Sequence, residues 1–164
     1  IYTADCLPIL IADIKTRNVA ACHSGLKGLK KQIIKKTLNK LIQMGSEKSN
    51  LIIAIGPSIT GDKYQVKKED IYDLIIQISG VKYTEESFLV KVSKELMIPL
   101  FKKDSCHERL LFDIQAAAIL QLNKEGIKQY QINLNRLCTY SKPRLFNSFR
   151  RDNTKLRQWN CIYS

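Results

Sequence analysis

Short apolar runs alternate along the chain with stretches in which apolar residues recur every three or four positions. Leu7–Asp13 and Leu51–Ile55 are continuous apolar runs bounded by polar residues, which is the pattern of buried strands. Residues 18–23 form a third such run, and the turn that precedes it is too short for a parallel crossover. The runs over residues 7–13 and 18–23 therefore predict an antiparallel hairpin.

Helical spacing occupies three other stretches. The apolar residues between 29 and 42 fall on one face of a predicted helix, and Gly45 ends that helix. A second helix is predicted over residues 68–78. A third helix begins after Asp113, which is a good N-cap residue, and ends at Gly126.

Two further strands are predicted near the end of the chain, over residues 127–134 and 157–163, whereas residues 80–109 show no clear pattern. Strands and helices alternate, but the first hairpin is antiparallel, so the sheet must be mixed. The sequence predicts an α/β or α+β fold in which mixed β-sheets are flanked by helices. We expect one domain over residues 1–164.

The chain has 164 residues, of which 45% are hydrophobic, and this is long enough for one well-buried core. No apolar run approaches the roughly 20 residues that a membrane-spanning helix needs, which argues against a membrane protein. Ile1 leads directly into a strand-like run. We therefore expect that the N-terminal part of the domain is missing from this sequence, and we assign no targeting signal.

The cysteines form an odd set without tight spacing: Cys6, Cys22, Cys106, Cys138 and Cys161. Such a set argues against a disulfide framework and for a reducing compartment. We therefore expect a cytoplasmic protein.

The formal net charge is +12. A charge of this size is compatible with nucleic-acid binding, with anionic small-molecule substrates, or with solvated surface lysines alone. The basic residues are spread over the whole chain, and no aromatic-interleaved RNA-binding signature is present. This distribution favours surface lysines and argues against a nucleic-acid partner.

Cys6 and His23 lie at the open end of the predicted hairpin, roughly opposite each other. The spacing allows three interpretations: two zinc ligands, a Cys–His nucleophile pair, or a buried thiol beside a structural histidine. Two ligands are fewer than the three protein ligands that a catalytic zinc ion usually has. Spacing alone favours the structural interpretation.

Two other stretches could bind an anion. Gly25 and Gly28 flank a predicted helix start, where free N–H groups attract anions, and Lys27 adds positive charge. Arg150 and Arg151 could each form forked hydrogen bonds to a phosphate or carboxylate. A glycine turn without a ligand and an Arg–Asp surface pair are the alternatives.

Five stretches together resemble a known family. TADCLPILIAD, VAACHSGLKG, IAIGPSI, LCTY and FNSFRRD occur in this order and cover nearly the whole chain. They are similar to the laccase-domain family, which contains the YfiH-like proteins. These proteins were once described as multicopper polyphenol oxidases and are regarded as purine nucleoside phosphorylases that also deaminate adenosine.

The resemblance implies a YfiH-like fold and a zinc ion bound by Cys6 and His23. The third zinc ligand of the family is a histidine upstream of the TADC-like motif, hence upstream of Ile1. The resemblance also implies purine nucleosides and phosphate as substrates. From charge and position, we expect phosphate to be held by residues of the glycine turn and the basic tail: Gly25, Lys27, Gly28, Arg150 and Arg151. The oligomeric state is not implied.

Some residues depart from the family pattern. Leu26 and Lys27 replace the usual tryptophan and arginine, Gln65 replaces a glutamate, and Phe149 replaces a tyrosine. These departures indicate a divergent branch of the family, whose substrate preference could differ.

Three other functions are weighed against this one. Copper oxidation of phenols suits the chain badly, because several copper ions need many histidines and only His23 and His107 are present. A Cys–His hydrolase or deamidase with the same fold is the enzymatic alternative, and a basic nucleic-acid-binding domain is the non-enzymatic one. His107 adjoins a cysteine but matches no family motif, so we predict that it does not bind zinc.

Overall fold

The computed structural model describes residues 1–80, 100–106 and 108–164. The strands are β1 (Tyr2–Thr3), β2 (Leu7–Asp13), β3 (Val19–Ser24), β4 (Leu51–Ile55), β5 (Gln65–Lys67), β6 (Phe101–Lys103), β7 (Arg109–Phe112), β8 (Ile132–Leu134) and β9 (Gln158–Trp159). The helices are α1 (Leu26–Lys30), α2 (Ile33–Gln43), α3 (Lys68–Ser79), α4 (Ile114–Lys124) and α5 (Phe149–Asp152).

The largest sheet has four strands in the order β3-β2-β4-β8. β2 pairs antiparallel with both β3 and β4, and β4 pairs parallel with β8. The predicted hairpin and the predicted mixed sheet are therefore confirmed. β2 and β4 also have the predicted bounds, because each is a continuous apolar run that pairs on both edges.

One face of this sheet forms the core together with the helices. Ile9, Ile11, Ile53 and Ile55 are each at most 2% exposed, and α2 packs against β3 and α4. The helices contribute a further set of fully buried side chains: Leu29, Ile34, Leu38, Ala117, Ala118 and Leu122. Burying one such leucine or isoleucine side chain stabilises the fold by about 1.5–3 kcal/mol.

Two smaller sheets flank the main one. β5, β7 and β6 form a three-stranded antiparallel sheet, and β1 pairs antiparallel with β9. The β1–β9 pair joins the two ends of the chain, with Tyr2 opposite Trp159. The rings of these two residues meet edge to face, with centroids 5.3 Å apart.

The helix signals predicted from sequence hold in most places. Asp113 caps α4, because its side chain accepts hydrogen bonds from the N–H groups of Gln115 and Ala116. Gly45 and Gly126 follow α2 and α4 with φ angles of +92° and +89°, which glycine adopts readily. The helix predicted over 68–78 is α3.

The helix predicted over residues 29–42 is wrong as one element. It is divided into α1 and α2 at Gln32, whose φ of 54° and ψ of 43° are left-handed. The break allows Leu29 on α1 and Ile34 on α2 to reach the same core, and both have 0% exposure. Helical periodicity does not reveal such a break, because the apolar spacing continues across it.

Both strands predicted near the C-terminus are shorter than expected. Only β8 forms within residues 127–134, because the buried Gln131 side chain holds a 3₁₀ turn before it. Its Nε2 donates to the carbonyls of Lys48 and Leu51, and its Oε1 accepts from the N–H of Lys128. Within residues 157–163, only β9 is a strand.

Among the described residues, no helix is long and apolar enough to cross a bilayer. His107 lies outside the described residues. The prediction that it does not bind zinc therefore stays a prediction.

Candidate functional site

The loop between β1 and β2 carries the buried carboxylate of Asp5, which is 7% exposed. One carboxylate oxygen accepts from the Thr139 hydroxyl at 2.7 Å. The other accepts from the Ser148 hydroxyl at 3.0 Å and from the Arg150 backbone N–H at 2.7 Å. Asp5 therefore joins the TADC stretch to both LCTY and FNSFRRD.

The same loop contacts the remaining two of the five stretches. The backbone carbonyl of Asp5 accepts from the N–H of Ile59, in IAIGPSI, at 2.9 Å. Gly25, in VAACHSGLKG, lies so close to Cys6 that a Cβ atom there would be 2.5 Å from the Cys6 sulfur. All five stretches therefore meet around Asp5 and Cys6, although they are far apart in sequence.

Cys6 is a free, half-buried thiol at the start of β2. Burial raises the pKa of this thiol, the negative charge of Asp5 raises it further, and the positive charge of Arg157 opposes both effects. The thiol is therefore protonated at neutral pH. Its sulfur occupies space that only a glycine at position 25 leaves open.

His23 lies on the neighbouring strand, β3, opposite Pro8. Its register offsets it by two positions from Cys6, so the two residues are diagonal neighbours rather than directly opposite. His23 is an exposed residue, but partial desolvation lowers the pKa of its imidazole; a hydrogen bond with the Tyr2 backbone raises this pKa, and the charge of Arg157 lowers it. The net shift is downward, which favours a neutral imidazole.

Cys6 and His23 are the two zinc ligands that the sequence predicts, and zinc binding by them stays a prediction. A neutral imidazole is ready to bind a metal ion, whereas the thiol must lose its proton as the metal binds. The described residues contain no group of three or more His, Cys, Asp or Glu side chains placed to hold a metal ion. The two donors fit zinc by their chemistry, and the third ligand predicted upstream of Ile1 stays a prediction.

Arg150 presents its side chain at the edge of this site. Its Nη1 donates to the Gln65 carbonyl at 3.0 Å, and its guanidinium lies 5.0 Å from the centre of the Tyr64 ring. The side chain is exposed, and the described residues supply only this one hydrogen bond to it. Arg150 therefore has donors left for a ligand.

Arg151 is hydrogen-bonded in a different way. Its Nη1 donates to the Thr139 and Tyr140 carbonyls, and its Nη2 donates to the Phe146 carbonyl. Its Nε and Nη2 form a forked pair with the carboxylate of Asp152, at 2.8 and 2.6 Å. These bonds use all five guanidinium donors. The geometry favours support of the fold, and the phosphate role predicted for Arg151 stays a prediction.

The glycine turn after β3 also differs in detail from the expectation. Gly25 is the N-cap residue of α1, but Gly28 and the exposed Lys27 lie inside this helix of five residues. A Cβ at Gly28 would lie 3.3 Å from the His23 carbonyl oxygen, so the residue permits close packing of α1 on β3. Anion binding by Gly25, Lys27 and Gly28 stays a prediction.

Sequence reasoning overlooked two residues of this site. Asp5 stands inside the TADC stretch, where a buried acid before a cysteine could have drawn attention. Arg157 lies close enough to influence both Cys6 and His23, but nothing in its local pattern indicates this. Only the pairing of β9 with β1 brings it there.

Comparison with known proteins agrees with the resemblance. The profile of the family described as multi-copper polyphenol oxidoreductase laccase matches residues 1–164. A protein from Synechocystis named purine nucleoside phosphorylase is 36% identical over 166 residues, which cover 100% of this chain and 62% of that protein. A protein of the same name from Aquifex aeolicus is 34% identical over 162 residues, which cover 99% of this chain and 63% of that protein.

Solved structures show the same fold. The hypothetical protein YfiH of Bacillus licheniformis superposes with a TM-score of 0.75 and 25% identity, over 93% of this chain and 51% of that protein. YlmD of Geobacillus stearothermophilus gives a TM-score of 0.74 at 24% identity, with the same coverage of both chains. The chain therefore spans between half and two thirds of the length of these relatives. It belongs to the laccase-domain family of YfiH-like proteins.

Proposed function

We propose that this protein is a zinc-dependent enzyme that acts on purine nucleosides. The observation that carries the proposal is the convergence of all five family stretches on Asp5 and Cys6, beside His23. The names of the relatives from Synechocystis and Aquifex supply the substrate class and the phosphorolytic reaction. Adenosine deamination is the finer part of the proposal and comes from the family resemblance.

Cys6 and His23 would hold the zinc ion. Bound zinc would supply Lewis acidity at neutral pH. The half-buried position of Cys6 against Gly25 fixes the thiol in one place, and Asp5 fixes the loop that carries it. The chain's own residues therefore contribute the rigidity that a metal site needs.

In the phosphorolytic route, a phosphate oxygen forms a bond to C1′ of the ribose while the bond from C1′ to the purine nitrogen breaks. The base leaves with the electron pair and takes up a proton. Arg150 would hold the phosphate through the guanidinium donors that the described residues do not use, and Lys27 adds positive charge. In the second route, the oxygen of water bonds to C6 of adenosine and ammonia leaves.

A Cys–His hydrolase remains the enzymatic alternative, and the surroundings of the Cys6 thiol do not favour it. A nucleophilic cysteine needs a lowered pKa, whereas burial and Asp5 raise the pKa of Cys6. Activity that survives chelators and is abolished by alkylation of Cys6 in the metal-free protein would favour this alternative.

Metal content tests the zinc site directly. We expect Cys6→Ala and His23→Ala to remove most of the bound zinc and nearly all nucleoside turnover from the full-length protein, while the fold is kept. Cys161→Ala is the matched control, because Cys161 is an exposed free cysteine that lies outside the five family stretches. Full zinc occupancy in Cys6→Ala, measured by elemental analysis, would contradict the assignment.

A comparison of the rates of the two routes distinguishes a residue that binds phosphate from a residue that supports the fold. Loss of a charge-assisted hydrogen bond worth roughly 1.5–3 kcal/mol should slow phosphorolysis in Arg150→Ala by about 10- to 100-fold. Deamination of adenosine needs no phosphate and should slow much less. Arg151→Ala should impair both routes together, because three of its hydrogen bonds hold residues 139–146 in place. Equal losses of rate in both routes for Arg150→Ala would contradict phosphate binding by Arg150.

A further inference from the structure

Arg157 lies in the segment between α5 and β9 and is held rigidly by the main chain. Its Nη1 donates to the carbonyls of Thr154 and Leu156, both at 2.7 Å. Its guanidinium lies 5.7 Å from the centre of the Phe149 ring, within the range of a cation–π contact. Two backbone anchors and one ring therefore fix the direction of this half-buried side chain.

The strand pairing of the two chain ends brings Arg157 to the site. Thr3 pairs with Gln158, so continuing the register by one step places Arg157 opposite Ala4, two residues before Cys6. Its positive charge acts on both Cys6 and His23, which supports the same placement. Arg157 therefore lies next to the loop that carries Cys6, and its charge reaches both proposed zinc ligands.

The hydrogen bonding of Arg157 leaves one edge of its guanidinium open. Within residues 1–80, 100–106 and 108–164, neither its Nε nor its Nη2 donates a hydrogen bond, and the side chain forms no ion pair. The nearby carboxylate of Asp5 accepts three other hydrogen bonds. By contrast, Arg151 uses its Nε–Nη2 edge on Asp152.

We propose that Arg157 binds an oxyanion, the phosphate substrate, through its Nε–Nη2 edge next to Cys6 and His23. This edge presents two parallel N–H groups at the spacing of two phosphate oxygens. Arg150 on α5 also keeps free guanidinium donors, so the proposed site has two arginines with donors for an anion. The proposal rests on the proposed function for the identity of the anion.

Steady-state kinetics of inosine phosphorolysis test the proposal in the full-length, zinc-loaded protein. We expect Arg157→Ala to raise the KM for phosphate about 10- to 100-fold and to leave the KM for inosine within about threefold. Arg157→Lys keeps the charge but loses the fork, so its phosphate KM should fall between those of the parent and Arg157→Ala. Arg144→Ala removes an exposed arginine and is the matched control for net charge.

A second measurement does not depend on turnover. Inorganic phosphate should raise the thermal unfolding midpoint of the parent and of Arg144→Ala above that in chloride at matched ionic strength. It should not raise the midpoint of Arg157→Ala. If the parent turns over no nucleoside but shows this pattern, the oxyanion site stands and the proposed function fails.

The opposite pattern of results overturns the oxyanion site alone. A parent that phosphorolyses inosine, with an unchanged phosphate KM and unchanged phosphate stabilisation in Arg157→Ala, would show that Arg157 does not bind the anion. An equal effect of Arg144→Ala would show that only net charge matters. If Arg157→Ala does not fold, the test falls to Arg157→Lys. A KM for phosphate equal to that of the parent would then overturn the proposal.

Discussion

The side chain of Asp5 accepts hydrogen bonds from residues that lie 134 to 145 positions further along the chain. Its φ of 86° is one that residues other than glycine adopt rarely. The three hydrogen bonds compensate for this backbone strain. They also fix the position of the next residue, Cys6. We therefore expect Asp5 to be a positioning residue of the proposed site, which acts through its neighbours.

Asp5→Asn should show this role. The amide matches the carboxylate in size but replaces one acceptor oxygen by a donor, which then faces a hydroxyl or N–H group. We expect a loss of about 1–3 kcal/mol in the free energy of unfolding, and a larger loss in turnover than in substrate affinity. Urea denaturation and steady-state kinetics measure the two effects. Asp73→Asn, at an exposed position of α3, is the control, and equal behaviour of both variants would refute the role.

Gly25 and Gly45 allow a second comparison at the scale of single residues. A Cβ at position 25 would meet the Cys6 sulfur at 2.5 Å, whereas a Cβ at position 45 meets nothing within 4 Å but requires a φ of +92°. Gly25→Ala should therefore weaken zinc binding by about tenfold or more. Gly45→Ala should cost about 1–2 kcal/mol of stability and leave zinc binding unchanged. Zinc titration with a competing chelator, together with urea denaturation, checks both expectations.

The turn between β2 and β3 determines how the hairpin responds to acid. Asp13 follows the apolar run of β2, and its Oδ1 accepts from the N–H groups of Lys15 and Thr16, at 2.8 and 3.0 Å. These bonds, with that of Thr16 the stronger influence, lower the pKa of Asp13 from 3.8 to about 2. The two N–H groups stabilise the charged carboxylate, so protonation of Asp13 removes the stabilisation that this side chain gives the turn.

Asp13→Asn tests this turn through the pH dependence of stability. A pKa that is lower in the folded state means a stabilisation that is complete above about pH 4 and is lost as the pH falls towards 2. The stability difference between parent and Asp13→Asn should therefore shrink over this range. Chemical denaturation at a series of pH values measures it, and a difference that stays constant down to pH 2 would contradict the assignment.

The elements that could be predicted from the sequence are those whose signal is local. β2, β4 and the Asp113-capped α4 were predictable, because an apolar run or a capping side chain marks each one. The break at Gln32 was not, because tertiary burial of Leu29 and Ile34 outweighs the continuous helical spacing. The 3₁₀ turn before β8 depends on the buried side chain of Gln131, whose partners lie about 80 positions away.

The candidate site was predictable only in part, for a related reason. Cys6 and His23 follow from the hairpin, which is a short-range feature. The contacts of Asp5 with Thr139, Ser148 and Arg150 cross the whole molecule and leave no periodic trace in the sequence. The order of the five stretches indicated the family, but their meeting point required the structure.

The net charge of +12 makes a prediction for the molecule as a whole. The lysines are spread over the surface, so any binding to duplex DNA should be non-specific and driven by counterion release. We expect that binding to fall by several factors of ten between about 50 and 200 mM salt, without preference for any sequence. Fluorescence anisotropy with two unrelated duplexes measures this. Tight, sequence-selective binding at the higher salt concentration would instead support the nucleic-acid-binding alternative.

The pairing of β1 with β9 has a consequence for how the protein comes into being in the cell. The contacts that the loop of Asp5 and Cys6 makes with Thr139 to Trp159 involve residues that leave the ribosome after the whole four-stranded sheet has been made. The four-stranded sheet already contains all its strands once β8 has emerged, so the core can form while the site is still open. Until β9 leaves the exit tunnel, the thiol of Cys6 lies next to an unpaired β1. We therefore expect binding of the proposed metal ion to follow the emergence of β9 from the ribosome.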